Sequence, residues 1–232
     1  MAQSSVKGPS AGGRAPDRTS LEVDWAQMYA TIPYARLPWY SPLPGRWLVE
    51  AVSQGWVRPP GPILDIGCGA GSNALWLSHH GFRVTGLDLA PIAIAVAKRR
   101  ASKTKSSAVF AQGSILSVPY RDAAFWSAID SGCFHSLPIA DRMRYASEVA
   151  RLVRPDGHLL VTWIAREETG EYGPPHRPSL DEVVSVLESF FVFERTEFAD
   201  NRSPRAWVAQ GHRLSRYTAL LTRRRSAQPP LR

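Results

Sequence analysis

The segment Ile63-Leu64-Asp65-Ile66-Gly67-Cys68-Gly69-Ala70-Gly71 sets an acidic side chain inside an apolar run and follows it with glycines at alternate positions. Such a run reads as a strand entering a tight turn, where glycine takes backbone angles closed to other residues and lets the main chain approach a ligand. The spacing is G-x-G-x-G, not the G-x-G-x-x-G that rests a pyrophosphate on a helix N-terminus. Asp65, two residues ahead of Gly67, is out of place beside a pyrophosphate. It suits a ligand with an ammonium group and no phosphate.

A second carboxylate, Asp88 in Val84-Thr85-Gly86-Leu87-Asp88-Leu89, ends the next apolar run where it suits a ribose diol. Gln112-Gly113-Ser114-Ile115 offers polar and apolar neighbours to an adenine amine and ring face. Asp130-Ser131-Gly132-Cys133-Phe134-His135 follows the fourth run, at the mouth of the crevice. S-adenosylmethionine has the matching parts. On these motifs, residues 62–163 resemble the class I S-adenosylmethionine-dependent methyltransferases. The resemblance implies a seven-stranded, mostly parallel sheet with its last strand antiparallel. It places Gly67 and Gly69 against the cofactor, Asp88 on its ribose, and Ser114 and Ile115 near its adenine. Ser114 stands where such families often carry aspartate. Asp65, Cys68, Leu89, Asp130 and Ser131 complete the expected cofactor-binding set. Gly173-Pro174-Pro175-His176, with Trp39 upstream, is similar to the thiopurine, thiol and halide methyltransferases, which implies a soft nucleophile as acceptor.

Methyl transfer from a sulfonium is an in-line displacement that needs a positioned nucleophile in a dry site. A thiolate or halide needs little more, whereas a phenol or carboxylic acid calls for a base within hydrogen-bond reach. His135 and His176 are the expected catalytic residues. His79 and His80 fall at a helix end, where histidines pair with exposed carbonyls. The histidines, cysteines and acids show no ligand spacing, so no metal is expected.

The elements that must position these residues follow from an alternation of short apolar runs with helix-period segments, the pattern of a doubly wound α/β sheet. Strands are expected over Ile63–Ile66, Arg83–Leu87, Ala108–Gln112, Trp126–Asp130, His158–Trp163, Phe190–Glu197 and roughly Leu214–Thr222. Helices are expected over Gly71–His80, Pro91–Ser102, Ala140–Val153 and Ser179–Ser189. Pro91 suits a first helical position, and Ser179 with Glu182 makes a capping box. Arg154-Pro155-Asp156-Gly157 is a turn that closes one helix and launches the next strand. Upstream, Trp25, Tyr29, Tyr34, Trp39, Tyr40 and Trp47 are interleaved with Pro33, Pro38, Pro42 and Pro44. This segment, residues 24–56, reads either as a helix followed by an extended cover packed on the core, or as a lid over cofactor and acceptor that moves as a piece. Tyr29, Trp39, Phe134 and His176 are the expected acceptor contacts.

The 232 residues carry a formal charge of +8. Residues 202–232 contribute eight arginines and no acid, residues 1–20 a net +2, and the stretch between a net −2. A near-neutral middle suits a small-molecule acceptor better than a nucleic-acid duplex. Arg223, Arg224 and Arg225 read as a solvated strand end. Residues 1–20 read as a disordered tail, 21–222 as a single domain and 223–232 as a basic tail. No membrane span or signal peptide is evident, and two cysteines in ligand-facing loops fit a reducing, cytoplasmic setting. An RNA or protein methyltransferase, a nicotinamide dehydrogenase and a non-catalytic binding module are the rival classes. Glycine spacing argues against the dehydrogenase, and the lack of an RNA-binding domain or a base-amine motif argues against RNA.

Overall fold

The computed structural model describes residues 23–57, 61–164, 176–199 and 215–225. Seven strands form one sheet: β1 (Pro62–Ile66), β2 (Arg83–Asp88), β3 (Val109–Gln112), β4 (Phe125–Ser131), β5 (Val153–Ile164), β6 (Phe191–Ala199) and β7 (Arg216–Arg223). Their order is β3-β2-β1-β4-β5-β7-β6. The first five strands run parallel, and β7 lies antiparallel between β5 and β6. The implied seven-stranded sheet with an antiparallel last strand is therefore present.

Parallel strands covered on both faces read as nearly continuous apolar runs, and the burial of Ile63 to Ile66 follows that rule. On one face Leu64, Leu87, Leu159 and Val161 pack with Tyr145, Val149 and Leu152 of helix α5 (Ile139–Leu152) and Val183 and Leu187 of α6 (Leu180–Leu187). On the other, Ile63, Val84, Ile129 and Leu160 meet α2 (Arg46–Ser53), α3 (Ser72–His79) and α4 (Pro91–Thr104). Pro91 opens α4, where its missing N–H costs nothing, and Ser179 and Glu182 cap α6 reciprocally.

Three expectations change. The segment ahead of the sheet holds α1 (Trp25–Thr31), a 3-10 turn at Tyr34–Arg36 and α2, so the extended cover is largely helical. Trp47, Leu48 and Ala51, at i, i+1 and i+4, give α2 its buried face. The turn Arg154–Gly157 lies inside β5, not ahead of it. Val153 already pairs with Phe125, four residues loop out, and pairing resumes at Ser127 with His158. Asp156 takes φ +60° in this loop, and the Arg154 guanidinium lies 3.8 Å over the Trp126 ring. Finally, Arg223 to Arg225 are tied back to the domain. Arg223 donates to the Val153 carbonyl, Arg224 Nε to the Glu188 carbonyl at 2.9 Å, and Arg225 pairs with Asp156. The residues 1–20 read as a tail, Leu214 and the end of the basic tail lie outside the described residues.

Candidate active site

The order of the sheet reverses between β2 and β4, on either side of β1, and this opens a crevice at the carboxyl ends of the strands. Gly67, Gly69 and Gly71 have φ of +62°, +53° and +81°, which explains their residue type. A Cβ on Gly67 would stand 2.8 Å from Cys133 Cβ, and one on Gly69 would stand 2.8 Å from the Tyr29 hydroxyl. The turn is thus closed in by the β4 loop on one side and by α1 on the other.

Three carboxylates surround this turn. Asp65 is 1% exposed, and its Oδ2 accepts the N–H of Ala74 at 3.1 Å. It anchors the start of α3 from beneath. Burial, with Asp130 and Asp88 nearby, pushes its carboxyl up to about 8. Asp88 is at the crevice: its Oδ2 accepts from Gly69 N–H at 2.8 Å and its Oδ1 from Ala90 N–H at 2.9 Å. Burial raises its pKa as well. Asp130 is fully buried and accepts four hydrogen bonds, from the backbones of Gly132, Cys133 and Phe134 and from the Tyr145 hydroxyl. Burial lifts it to about 6. Its side chain shapes the β4 loop and is spent on that task. Among the described residues, no lysine or arginine pairs with any of these three. Of the three, Asp88 is bonded directly to the glycine turn, where the Arg100 guanidinium also donates to the Ala70 carbonyl.

The other expected cofactor residues are spread along the same edge. Leu89 is 54% exposed beside Asp88, an apolar side chain in solvent at the rim. Ser114 turns its hydroxyl to the Leu116 N–H at 3.2 Å, and Ile115 is buried in the core behind it. Ser131 is exposed at the end of β4, and the half-buried Cys68 lies in the glycine turn. Burial pushes the Cys68 and Cys133 thiols well up, so neither is an activated nucleophile.

On the acceptor side, the Trp39 indole N–H donates to the Tyr29 hydroxyl at 3.3 Å, and Trp39 meets Trp25 edge to face at 5.3 Å. This aromatic group roofs the glycine turn, with Tyr29 against Gly69. Phe134 is fully buried against Tyr145 and beneath Arg142. It is therefore a core residue, not the acceptor contact its loop position suggested. His176 is buried, and it is among the charges acting on His135.

His135 is not arranged as the expected base. Its Nδ1 accepts the backbone N–H of Ile164 at 3.1 Å. Burial, then Arg216, Arg142, Arg177 and His176, drive its pKa down to about 3. The ring is neutral, Nδ1 is the acceptor, and the proton sits on Nε2. The remaining nitrogen can only donate. His80, by contrast, pairs with the Trp76 carbonyl at 2.7 Å as its helix-end position predicts.

Sequence reasoning missed Tyr145, Arg142, Arg177 and Arg216. Tyr145 and Arg142 were hidden in an ordinary helical pattern. Arg216 was counted among the terminal arginines, and only the alternation of β7 separates it from them.

Residues 63–157 match the family described as "Methyltransferase domain". The chain is 33% identical over 179 residues to a 2-heptyl-1-hydroxyquinolin-4(1H)-one methyltransferase of Mycobacteroides abscessus, covering 76% of this chain and 75% of the relative. It is 30% identical over 144 residues to a demethylmenaquinone methyltransferase of Thermus thermophilus, covering 61% of this chain and 64% of the relative. A structure from work on the conversion of a disulfide bond into a thioacetal group during echinomycin biosynthesis superposes with a TM-score of 0.75. It has 24% identity and covers 86% of this chain and 91% of that one, a likeness of fold. This sheet order and these relatives lead to one assignment: the chain belongs to the class I S-adenosylmethionine-dependent methyltransferases.

Proposed function

We propose that the protein methylates an oxygen on a planar, hydroxylated aromatic or heteroaromatic small molecule. The observation that carries this reading is the aromatic roof of Trp25, Tyr29 and Trp39 over the glycine turn, a flat contact surface beside the cofactor crevice. The similarity to a hydroxyquinolone methyltransferase points the same way.

S-adenosylmethionine, when bound, supplies an electrophilic methyl group on a sulfonium. Gly67 and Gly69 offer their backbone to it. Asp88 holds the ribose, Leu89 and Ile115 border the adenine with Ser114, and Ser131 stands at the mouth. Asp65 and Asp130 act through the turn and the loop that they brace. Trp39 and Tyr29 orient the acceptor and exclude water. The two free thiols fit a reducing, cytoplasmic setting. Transfer to a thiol, halide or other soft nucleophile is the alternative drawn from Gly173-Pro174-Pro175-His176, of which only His176 lies within the described residues.

The test is incubation with methyl-labelled S-adenosylmethionine and a panel of 1-hydroxyquinolin-4(1H)-one, simple phenols, small thiols, iodide and bulk RNA. Label entering a hydroxyl of the aromatic acceptors is the expected outcome. Label entering thiols or iodide instead would replace this reading with the soft-nucleophile one.

A further inference from the structure

Basic groups gather around His135 at the carboxyl edge of the sheet. Arg216 opens β7, with Ile164 of β5 and Ala199 of β6 as its register partners. Ile164 is also the residue whose N–H holds the His135 ring. Arg142 of α5 stands 5.5 Å over Phe134, the chain neighbour of His135. Arg177 and His176 approach from the segment ahead of α6. All four basic groups act on the His135 ring in the direction that opposes its protonation.

Arg216 is the unusual member. Its Nε is buried and meets no hydrogen-bond partner, and no carboxylate among the described residues pairs with its guanidinium. Arg216 is partly buried, which lowers its pKa, and no acid among the described residues offsets this. An enclosed cation without a counter-ion is costly, and an arriving anion recovers that cost. The neighbouring imidazole presents the Nε2–H as a donor, with its Cε1–Nε2 edge against Gly132 of the β4 loop. The register pairing of Arg216 with Ile164, whose N–H holds the imidazole, sets this residue one strand from the ring, and a planar guanidinium together with a fixed N–H donor is a receptor for an ionised oxygen.

We propose that Arg216 and the Nε2–H of His135 form an anion-binding subsite that takes the methyl acceptor as its oxyanion. The inference rests on the O-methylation reading and deepens it: the acceptor is an acidic hydroxyl compound, and no protein base removes its proton. The acceptor's proton leaves to solvent as it ionises. An oxygen lone pair then forms the new C–O bond while the methyl–sulfur bond breaks, sulfur keeping that pair and becoming a neutral thioether. The positive field of the subsite performs the ionisation that a base would otherwise perform.

The test uses two probes that differ in one ionisable group, 1-hydroxyquinolin-4(1H)-one and quinolin-4(1H)-one, with the full chain saturated by S-adenosylhomocysteine. Wild type binds the hydroxylated probe about 10- to 100-fold more tightly, the worth of a charge-assisted hydrogen bond. The absorption spectrum of the bound probe titrates about one to three pH units below that of the free probe. Arg216→Gln abolishes both effects and Arg216→Lys restores part of each, while affinity for S-adenosylhomocysteine stays at the wild-type value and reports an intact fold. Equal affinity of wild type for the two probes, or an unshifted titration, overturns the subsite. So does an Arg216→Gln protein that keeps the preference. If Arg216→Gln does not fold, Arg216→Lys with a partly reduced preference carries the same decision. Methyl transfer to the hydroxylated probe is scored separately. Transfer without an anion preference sinks only the subsite, a preference without transfer sinks only O-methylation, and failure to bind either probe sinks both.

Discussion

Acids gather by the glycine turn and basic groups around His135, and in both groups burial works against the charged form. Toward the cofactor stand Asp65, Asp88 and Asp130, with raised pKa values and no basic partner among the described residues. Toward the acceptor stand His135, His176, Arg142, Arg177 and Arg216, and burial lowers the pKa of both His135 and Arg216. Asp88 in the first group and Arg216 in the second have no opposite charge paired with them among the described residues. A cationic donor and an anionic acceptor annihilate charge as the methyl group moves, so the site has little new charge to stabilise. Its contribution is to hold two oppositely charged partners together out of water.

The β4 loop separates the halves, and Asp130 is the residue that shapes it. Asp130→Ala leaves a buried Tyr145 hydroxyl and backbone N–H groups unsatisfied and should cost about 3 kcal/mol or more in a denaturant titration. A loss below about 1 kcal/mol would show that the loop stands without its brace. Asp88→Ala removes the carboxylate bonded to the glycine turn, and should weaken S-adenosylmethionine about 100-fold by calorimetry, the worth of two hydrogen bonds to a charged group. Unchanged affinity would overturn the ribose assignment.

Asp65 sharpens the comparison through pH. Its folded-state carboxyl titrates near 8, whereas an unfolded aspartate titrates at about 3.9. The folded chain therefore binds more protons across that window, and this contribution to stability is lost as pH rises through about 8. The cofactor-free protein should lose a few degrees of Tm between about pH 5 and about pH 8, and Asp65→Asn, which still accepts the Ala74 N–H, should flatten that slope. An unchanged slope would place the titration elsewhere. The smallest effect is expected at His135. His135→Phe should lower turnover about tenfold, and His135→Gln, whose amide can both accept from Ile164 and donate, should recover most of it. A hundredfold loss in the glutamine variant would mean a base after all.

The cofactor half was legible in the sequence because its parts lie in one contiguous strand-turn-helix and one strand end, where spacing carries geometry. Gly67 and Gly69 take the positive φ that their spacing predicts, and Asp88 ends β2 with an oxygen on the Gly69 N–H. Asp65 and Asp130 were read as ligand contacts, since a sequence shows where a carboxylate falls but not which way its oxygens turn. The acceptor half was barely legible. It is assembled from α5, the segment before α6 and the start of β7, whose residues lie far apart in sequence, and no local pattern ties Arg216 to His135. A lone imidazole also looks alike in sequence whether its free nitrogen donates or accepts, and only the Ile164 contact distinguishes the two.

Because Asp130 is tied to Tyr145, a fully buried residue of α5, the β4 loop belongs to the same cooperative unit as the core. The amide protons of Gly132, Cys133 and Phe134 are held by that one carboxylate and can exchange with solvent only when the whole unit opens. The loop has no separate melting of its own. On heating, it should lose its shape at the same temperature at which the protein loses its fold.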